Sequence, residues 1–202
     1  MSPTAALTPP PFNAMTAFRR LTVAEYQQLI DHDILTDEDE VELLEGYIVL
    51  KMPRSPPHDY SVDELQKFFF RTIPDRWTVM GQTVVSLPDS RPEPDLSVAR
   101  GPRSQYRNQH PSPAELALVV EVADSSLACD RTDKGRIYAR ESIPVYWIVN
   151  VVDRQIEVYT DPTGPVSVPV YRRRQDYAAG SSVPVVLDGT TVGTLAVDDV
   201  LP

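Results

Sequence analysis

"LALVVEVADSS", residues 116–126, decides how this chain folds. Its first eight residues are apolar on both faces apart from one, the pattern of a central strand covered by further layers on each side. The exception is Glu121. An unpaired ionised carboxylate is costly to bury even after relaxation, so the strand must deliver Glu121 to a partner. "RPEPDLSVAR", residues 91–100, poses the same problem upstream, with Asp95 at the head of an apolar run.

Side chains alternate along a strand. Glu93, Asp95, Ser97 and Ala99 therefore share one face against Leu96 and Val98, and Ala117, Val119, Glu121 and Ala123 share one against Leu118, Val120 and Val122. If the two strands are neighbours, Asp95 and Glu121 converge. Two carboxylates in a low-dielectric site repel unless a proton or cation lies between them, and a divalent metal is the economical answer. Magnesium takes oxygen ligands, commonly one or two carboxylates completed by water and substrate phosphate, so two acids suffice. Such an ion activates water and stabilises charge growing on a phosphodiester.

Lys134 follows Glu121 by thirteen residues, in a helix that "CDRTDKGRIYARESI", residues 129–143, predicts with Lys134, Ile137, Tyr138 and Glu141 along one side. From there its ammonium can reach back over the sheet end to orient a nucleophile or stabilise a transition state. Plainer readings stand beside these: Lys134 as a surface partner of Asp130, Glu121 as one half of a structural ion pair, and Asp95 as a solvent-facing turn residue.

Around this centre, Thr22 followed by Glu25 matches a capping box and predicts a first helix starting near Thr22. "VELLEGYIVLKMP", residues 41–53, changes period near Gly46 and turns into a strand there. Residues 58–70 place Val62, Leu65, Phe68 and Phe69 at helical spacing. Three β-type runs follow, "WTVMGQ", "TVVSL" and "PDLSVA", and "PVYWIVNVVDRQIEVYT", residues 144–160, reads as two strands turning near Asp153 and Arg154. Strand, helix and strand in that order make a crossover at the sheet centre. The last forty or so residues read as short irregular β-segments. The fold class is α/β: a mixed, partly antiparallel sheet flanked by helices.

The chain has 202 residues, enough for one sizeable core. Residues 1–16, Pro-rich and without hydrophobic period, read as a flexible lead-in, and 17–202 as a single domain with a β-rich C-terminal extension. One cysteine excludes an internal disulfide and a cysteine-rich zinc site. No secretory leader or membrane span is recognisable, so a cytoplasmic protein with no membrane partner is expected. A net charge of −10 argues against general affinity for nucleic acid. It leaves room for a local basic groove, although the clusters at Arg100, Arg103 and Arg107, at 131–140 and at Arg172–Arg174 read first as a solvated mixed-charge surface.

"EPDLSVAR", then "LALVVEVADSS", then "DRTDKGRIYARESIPVYWIVN" resembles, in order and spacing, the Uma-type restriction endonucleases, a bacterial branch of the PD-(D/E)XK nuclease superfamily. "VELLEGYIVLKMPRSPPH" looks like that family's "ELIDGEIVxMxP…H" opening, and the likeness runs from about Thr22 to Tyr159. It implies a restriction-endonuclease-like fold, Asp95 and Glu121 as metal ligands and Lys134 as the catalytic lysine. The superfamily pattern puts its lysine two residues after the acid, where this chain has Ala123; in this branch the next helix supplies it. Glu42 matches the opening glutamate, a further ligand or water-orienting acid, though it is also simply one acid of an acidic run. His58 matches a recurrent family histidine, either a base or a helix cap. Tyr138 helps pack or orient the helix, and Gln82 faces the same pocket.

The expected function is thus a Mg²⁺-dependent endonuclease, with Mn²⁺ as a possible substitute, hydrolysing DNA phosphodiester bonds. Two rivals are a nucleic-acid-binding or assembly module that has lost turnover, and a structural protein built on a Glu121–Lys134 ion pair. A homodimer fits two-strand cleavage, with the edges left by "QIEVYT", residues 155–160, and by the irregular β tail as its expected contacts.

Overall fold

The computed structural model describes residues 18–202, so the Pro-rich segment 1–16 lies outside the described residues. Helix α1 (Val23–Asp31) starts at the expected cap: Thr22 Oγ1 accepts the Glu25 N–H at 3.2 Å, and the Glu25 carboxylate accepts the Thr22 N–H at 2.8 Å. Strands β1 (Val41–Leu44) and β2 (Tyr47–Leu50) form an antiparallel hairpin, so the segment before Gly46 is itself a strand, which its sequence did not reveal. The turn demands glycine. Glu45 and Gly46 both have positive φ, the geometry of a tight hairpin, and a Cβ on Gly46 would lie 2.7 Å from Arg20 Cβ and 2.8 Å from Leu21 O.

Helix α2 (Pro56–Thr72) begins two residues earlier than its periodicity indicates, because Ser55 caps it and the two prolines occupy its first turn, where no intrahelical N–H is needed. Six strands then form the main sheet, in the order β3 (Trp77–Gly81), β4 (Leu96–Arg100), β5 (Leu116–Ala123), β6 (Val145–Asn150), β7 (Gln155–Pro162) and β8 (Tyr171–Ala178). Only β5 and β6 run parallel among them. Their crossover consists of α3 (Leu127–Cys129), a π-helical turn Asp130–Lys134 and α4 (Gly135–Arg140) in unbroken succession. A final hairpin, β9 (Ser182–Leu187) with β10 (Thr190–Ala196), stands outside the main sheet.

Each sheet face carries its own core. Leu96, Val98, Leu118, Val120 and Val122 meet α2 and the β9–β10 hairpin, while Ala99, Val119 and Ala123 meet α4 and the β1–β2 side. All eight β5 residues are buried, as a covered central strand requires. Glu121 shares the second face with Val119 and Ala123. Ala117 does not: the β4–β5 register slips between Val98 and Ala99, and the resulting bulge turns Ala117 into the α2-side core.

Three further expectations are corrected. "TVVSL", residues 83–87, is not a strand of any sheet; Val85 N–H donates to Pro92 O at 2.9 Å and Ser86 N–H to Pro111 O at 2.9 Å, so its backbone is satisfied by loops. The C-terminal segments are regular: β8 extends the main sheet and β9–β10 is a paired hairpin. Because β8 covers β7, "QIEVYT" is no edge, and the strand at the border carries Arg172, Arg173 and Arg174, charges of the kind that discourage edge pairing.

A second buried acid, Glu157 of β7, anchors the crossover. Its carboxylate receives Arg131 Nε at 3.1 Å, Asn150 Nδ2 at 2.9 Å, Tyr159 OH at 2.6 Å and Arg174 Nη2 at 3.2 Å. Burial alone would raise its pKa, but these donors, led by Arg131, hold it down at about 2. The stabilisation is complete above the ordinary value of 4.5 and is lost as pH falls from there toward about 2. That span corresponds to roughly 3 kcal/mol. Urea titrations should therefore show Glu157→Gln destabilised by about 2–3 kcal/mol at pH 7, with the difference from the parent shrinking below pH 4.5. A pH-independent difference would contradict the assignment.

Candidate active site

The expected acids meet on the second face of the sheet. Glu42 comes from β1, Asp95 from the residue before β4, and Glu121 from the middle of β5. Antiparallel pairing of Leu96 with Val120 sets Asp95 beside Glu121, and Asp95 Oδ2 accepts the Val122 N–H at 2.8 Å. The π-helical turn contributes Asp130 and Lys134. Glu42, Asp95, Glu121 and Asp130 are only 7, 9, 3 and 1% exposed.

One ammonium serves most of this charge. Lys134 Nζ lies 3.1 Å from Glu121 Oε1, 3.4 Å from Glu42 Oε1 and 4.0 Å from Asp130 Oδ1. Burial works against its ammonium, yet Glu121, Glu42 and Asp130 together hold its pKa well above the ordinary lysine value. Tyr138, four residues further on, donates its hydroxyl to the same Glu121 Oε1 at 2.7 Å. The plain surface-pair reading of Lys134 and Asp130 is excluded by their burial, although the two do lie in contact.

The carboxylates outnumber their cations. Burial, followed by Asp130, Asp95 and Glu42, raises the Glu121 carboxyl well above the usual range against the pull of Lys134. Burial likewise pushes Asp130 up to about 6, with Lys134 and Ser126 opposing. His58, buried near the start of α2, places Nε2 3.4 Å from Asp95 Oδ2; burial disfavours its imidazolium, but Asp95 and Asp59 raise its pKa overall. No hydrogen bond from the described residues reaches Asp95 Oδ1 or Glu121 Oε2. Both oxygens are left available in a region short of positive charge.

These side chains line one cavity of about 500 Å³, walled by Asp124, Ser126 and Cys129 at the β5 end and by the β2 strand with residues 51–54 opposite. Cys129 is no nucleophile at neutral pH, since burial beside Asp130 pushes its thiol up to about 11. Among the described residues no group of three or more His, Cys, Asp or Glu side chains is placed to hold a metal ion together. A metal would rest on two carboxylates, with water and phosphate completing its shell, as magnesium accepts.

Of the expected residues, Glu42, His58, Asp95, Glu121 and Lys134 line this cavity, and Tyr138 supports it from behind. Gln82 does not line it; only its backbone is close, with the N–H donating to Asp95 O at 3.0 Å. Sequence reasoning passed over Asp130 as a site member. Ser126 lies four residues before Asp130 and donates to it, but the π-turn that carries both Asp130 and Lys134 inward has no periodic signal. The turn is held by Asp130 O, which accepts the Gly135 N–H and, at 3.0 Å, the Tyr146 hydroxyl.

A mixed sheet with buried acids on neighbouring strands, and a lysine carried over them by the crossover, defines a nuclease-like class of protein. Residues 23–192 match the family model Uma2, described as "Putative restriction endonuclease", and the chain belongs to that family. The fold is similar to the crystal structure of "a putative nuclease belonging to DUF820 from Anabaena variabilis ATCC 29413", with a TM-score of 0.63 at 16% identity, covering 89% of this chain and 97% of that one. No curated protein matches the chain. No helix of the described residues is long and apolar enough to cross a membrane.

Proposed function

We propose that the protein is a Mg²⁺-dependent endonuclease that hydrolyses DNA phosphodiester bonds, with Mn²⁺ able to replace Mg²⁺. The observation that carries this reading is the charge imbalance: three buried carboxylates, Glu42, Glu121 and Asp130, share one lysine, a fourth, Asp95, lies beside Glu121 against His58, and Asp95 and Glu121 each keep an oxygen without a hydrogen bond among the described residues. A structural ion pair needs one acid per base. The surplus here is what a site built to receive a cation requires.

Asp95 and Glu121 would hold the ion. When bound, it supplies Lewis-acid stabilisation of charge on the phosphoryl group. The remaining roles belong to side chains of the chain. Val122 N–H and His58 fix Asp95 through Oδ2, while Tyr138 and Lys134 fix Glu121 through Oε1. Lys134, kept charged by its three acids, stabilises negative charge on the phosphate. Glu42, held by the Glu93 N–H at 3.2 Å, assists by orienting the attacking water. A cytoplasmic location fits this role, and two copies of the chain would present two such sites for two-strand cleavage.

Plasmid DNA incubated with the protein and Mg²⁺ should be nicked or linearised. EDTA should stop the reaction, and added Mg²⁺ or Mn²⁺ should restore it. Cleavage that persists in EDTA would overturn the metal assignment, and absence of cleavage under every divalent cation would overturn the enzymatic reading.

A further inference from the structure

Most cations of this acidic chain are spent on its own acids: Lys51 on Glu93, Arg100 on Asp188, Arg131 on Glu157, and Arg136 and Arg140 on Glu45. Arg54, Arg91, Arg103 and Arg107 have no carboxylate partner among the described residues. Their positions are connected. The active-site cavity shares the wall formed by residues 51–54 and Glu93 with a larger cavity of about 760 Å³, into which Arg91 also faces. His110 borders that cavity and the next one, which Arg103 and Arg107 line.

Resting on the nuclease reading above, we propose that this run of cavities is the path of the DNA backbone, with Arg54, Arg91, Arg103 and Arg107 contacting successive phosphates leading away from the scissile one. An acidic protein needs such a path to hold a polyanion at all, since phosphate neutralisation by Lys and Arg supplies most non-specific affinity. Arg91 fits the role of an anchor. The residue is half-buried, and its guanidinium makes one hydrogen bond among the described residues, 3.3 Å from Nη1 to Leu87 O, so it is held in place with no carboxylate to neutralise it. Arg54 stands on the wall between the two cavities, nearest the carboxylates. The larger cavity is mixed in charge, with Asp37, Glu40 and Glu93 beside Lys51, Arg54 and Arg91, whereas the cavity beyond it carries Arg103 and Arg107 and no carboxylate.

Binding of a fluorescein-labelled DNA duplex, followed by anisotropy across a salt series with Ca²⁺ in place of Mg²⁺, tests the path. Each lost phosphate contact lowers the slope of log K against log salt by about 0.9. The variant Arg103→Ala/Arg107→Ala should bind about tenfold more weakly with a slope smaller by about 2, and Arg54→Ala should lose about 1. Arg103→Lys/Arg107→Lys should recover most of the slope. Arg71→Ala, which removes an exposed arginine of α2 outside these cavities, should bind like the parent. If the parent cleaves and binds DNA while the Arg103/Arg107 and Arg54 variants keep its affinity and slope, the path is wrong and the nuclease reading stands. If the parent neither binds nor cleaves DNA, the nuclease reading falls and takes the path with it.

Discussion

Glu121→Gln should abolish metal-dependent cleavage, by about 10²- to 10³-fold or more, while leaving the protein folded and at least as stable as the parent at neutral pH. The amide is nearly isosteric, and its oxygen can still accept both the Tyr138 hydroxyl and the Lys134 ammonium, which reach the same Oε1 in the parent. What disappears is a charge that burial and three neighbouring acids already disfavour. Lys134 is not orphaned, because Glu42 and Asp130 remain against it. Asp95→Asn should lose cleavage to a similar degree. Activity is read by plasmid cleavage and stability by urea titration without added metal. A structural Glu121–Lys134 pair makes the opposite forecast, a marked loss of stability on removing either partner. A Glu121→Gln protein that is clearly destabilised, or that still cleaves, would contradict the site.

Lys134→Met should be the most damaging single change. It leaves Glu121, Glu42 and Asp130 buried around an apolar side chain, and removing one partner from a buried ionic cluster costs about 3–5 kcal/mol. Part of that loss should be recovered by adding the divalent ion, which relieves the same repulsion, or by combining the change with Asp130→Asn. The asymmetry between Lys134→Met and Glu121→Gln separates the two accounts: a simple ion pair predicts comparable losses, whereas a carboxylate surplus predicts a large loss only when the cation goes. Urea titrations of the two variants side by side measure it, and equal destabilisation would refute the surplus.

Much of this site could be read before the structure. Alternation along β4 and β5 placed Asp95 and Glu121 on a common face, and the structure joins those strands as neighbours with Lys134 over the acids. What escaped notice had physical causes. Asp130 looked like a surface partner because helical spacing cannot show that a π-turn, stabilised by the Tyr146 hydroxyl and close packing at Gly135, swings it inward. Residues 83–87 have strand composition, but prolines at 88, 92 and 94 surround their return path, and the backbone pairs with loops instead. The β9–β10 hairpin was legible in principle. Asp188 and Gly189, both with positive φ, are a strong hairpin signal between alternating apolar residues, masked by the Pro and Gly content around them. The Ala117 bulge depends on β4–β5 register, which neither strand encodes alone.

The same geometry shows why Ala123, two residues after Glu121, is a poor place for a lysine. Ala123 lies in the core packed against α4, so a lysine there would bury a charge among apolar side chains, whereas Lys134 approaches from above with three acids to receive it. The Arg131–Glu157 contact ties the start of that turn to β7, linking the position of Lys134 to a strand beyond the cavity.

In the proposed site Asp95 and Glu121 share a divalent cation. Crystals soaked in Mn²⁺ and measured at the manganese absorption edge test it most directly. An anomalous peak is expected between the two carboxylates, within about 2.0–2.3 Å of Asp95 Oδ1 and Glu121 Oε2, and should be absent from crystals of Glu121→Gln. A fully soaked crystal with no peak there, and with Glu121 still bonded only to Lys134 and Tyr138, would contradict it.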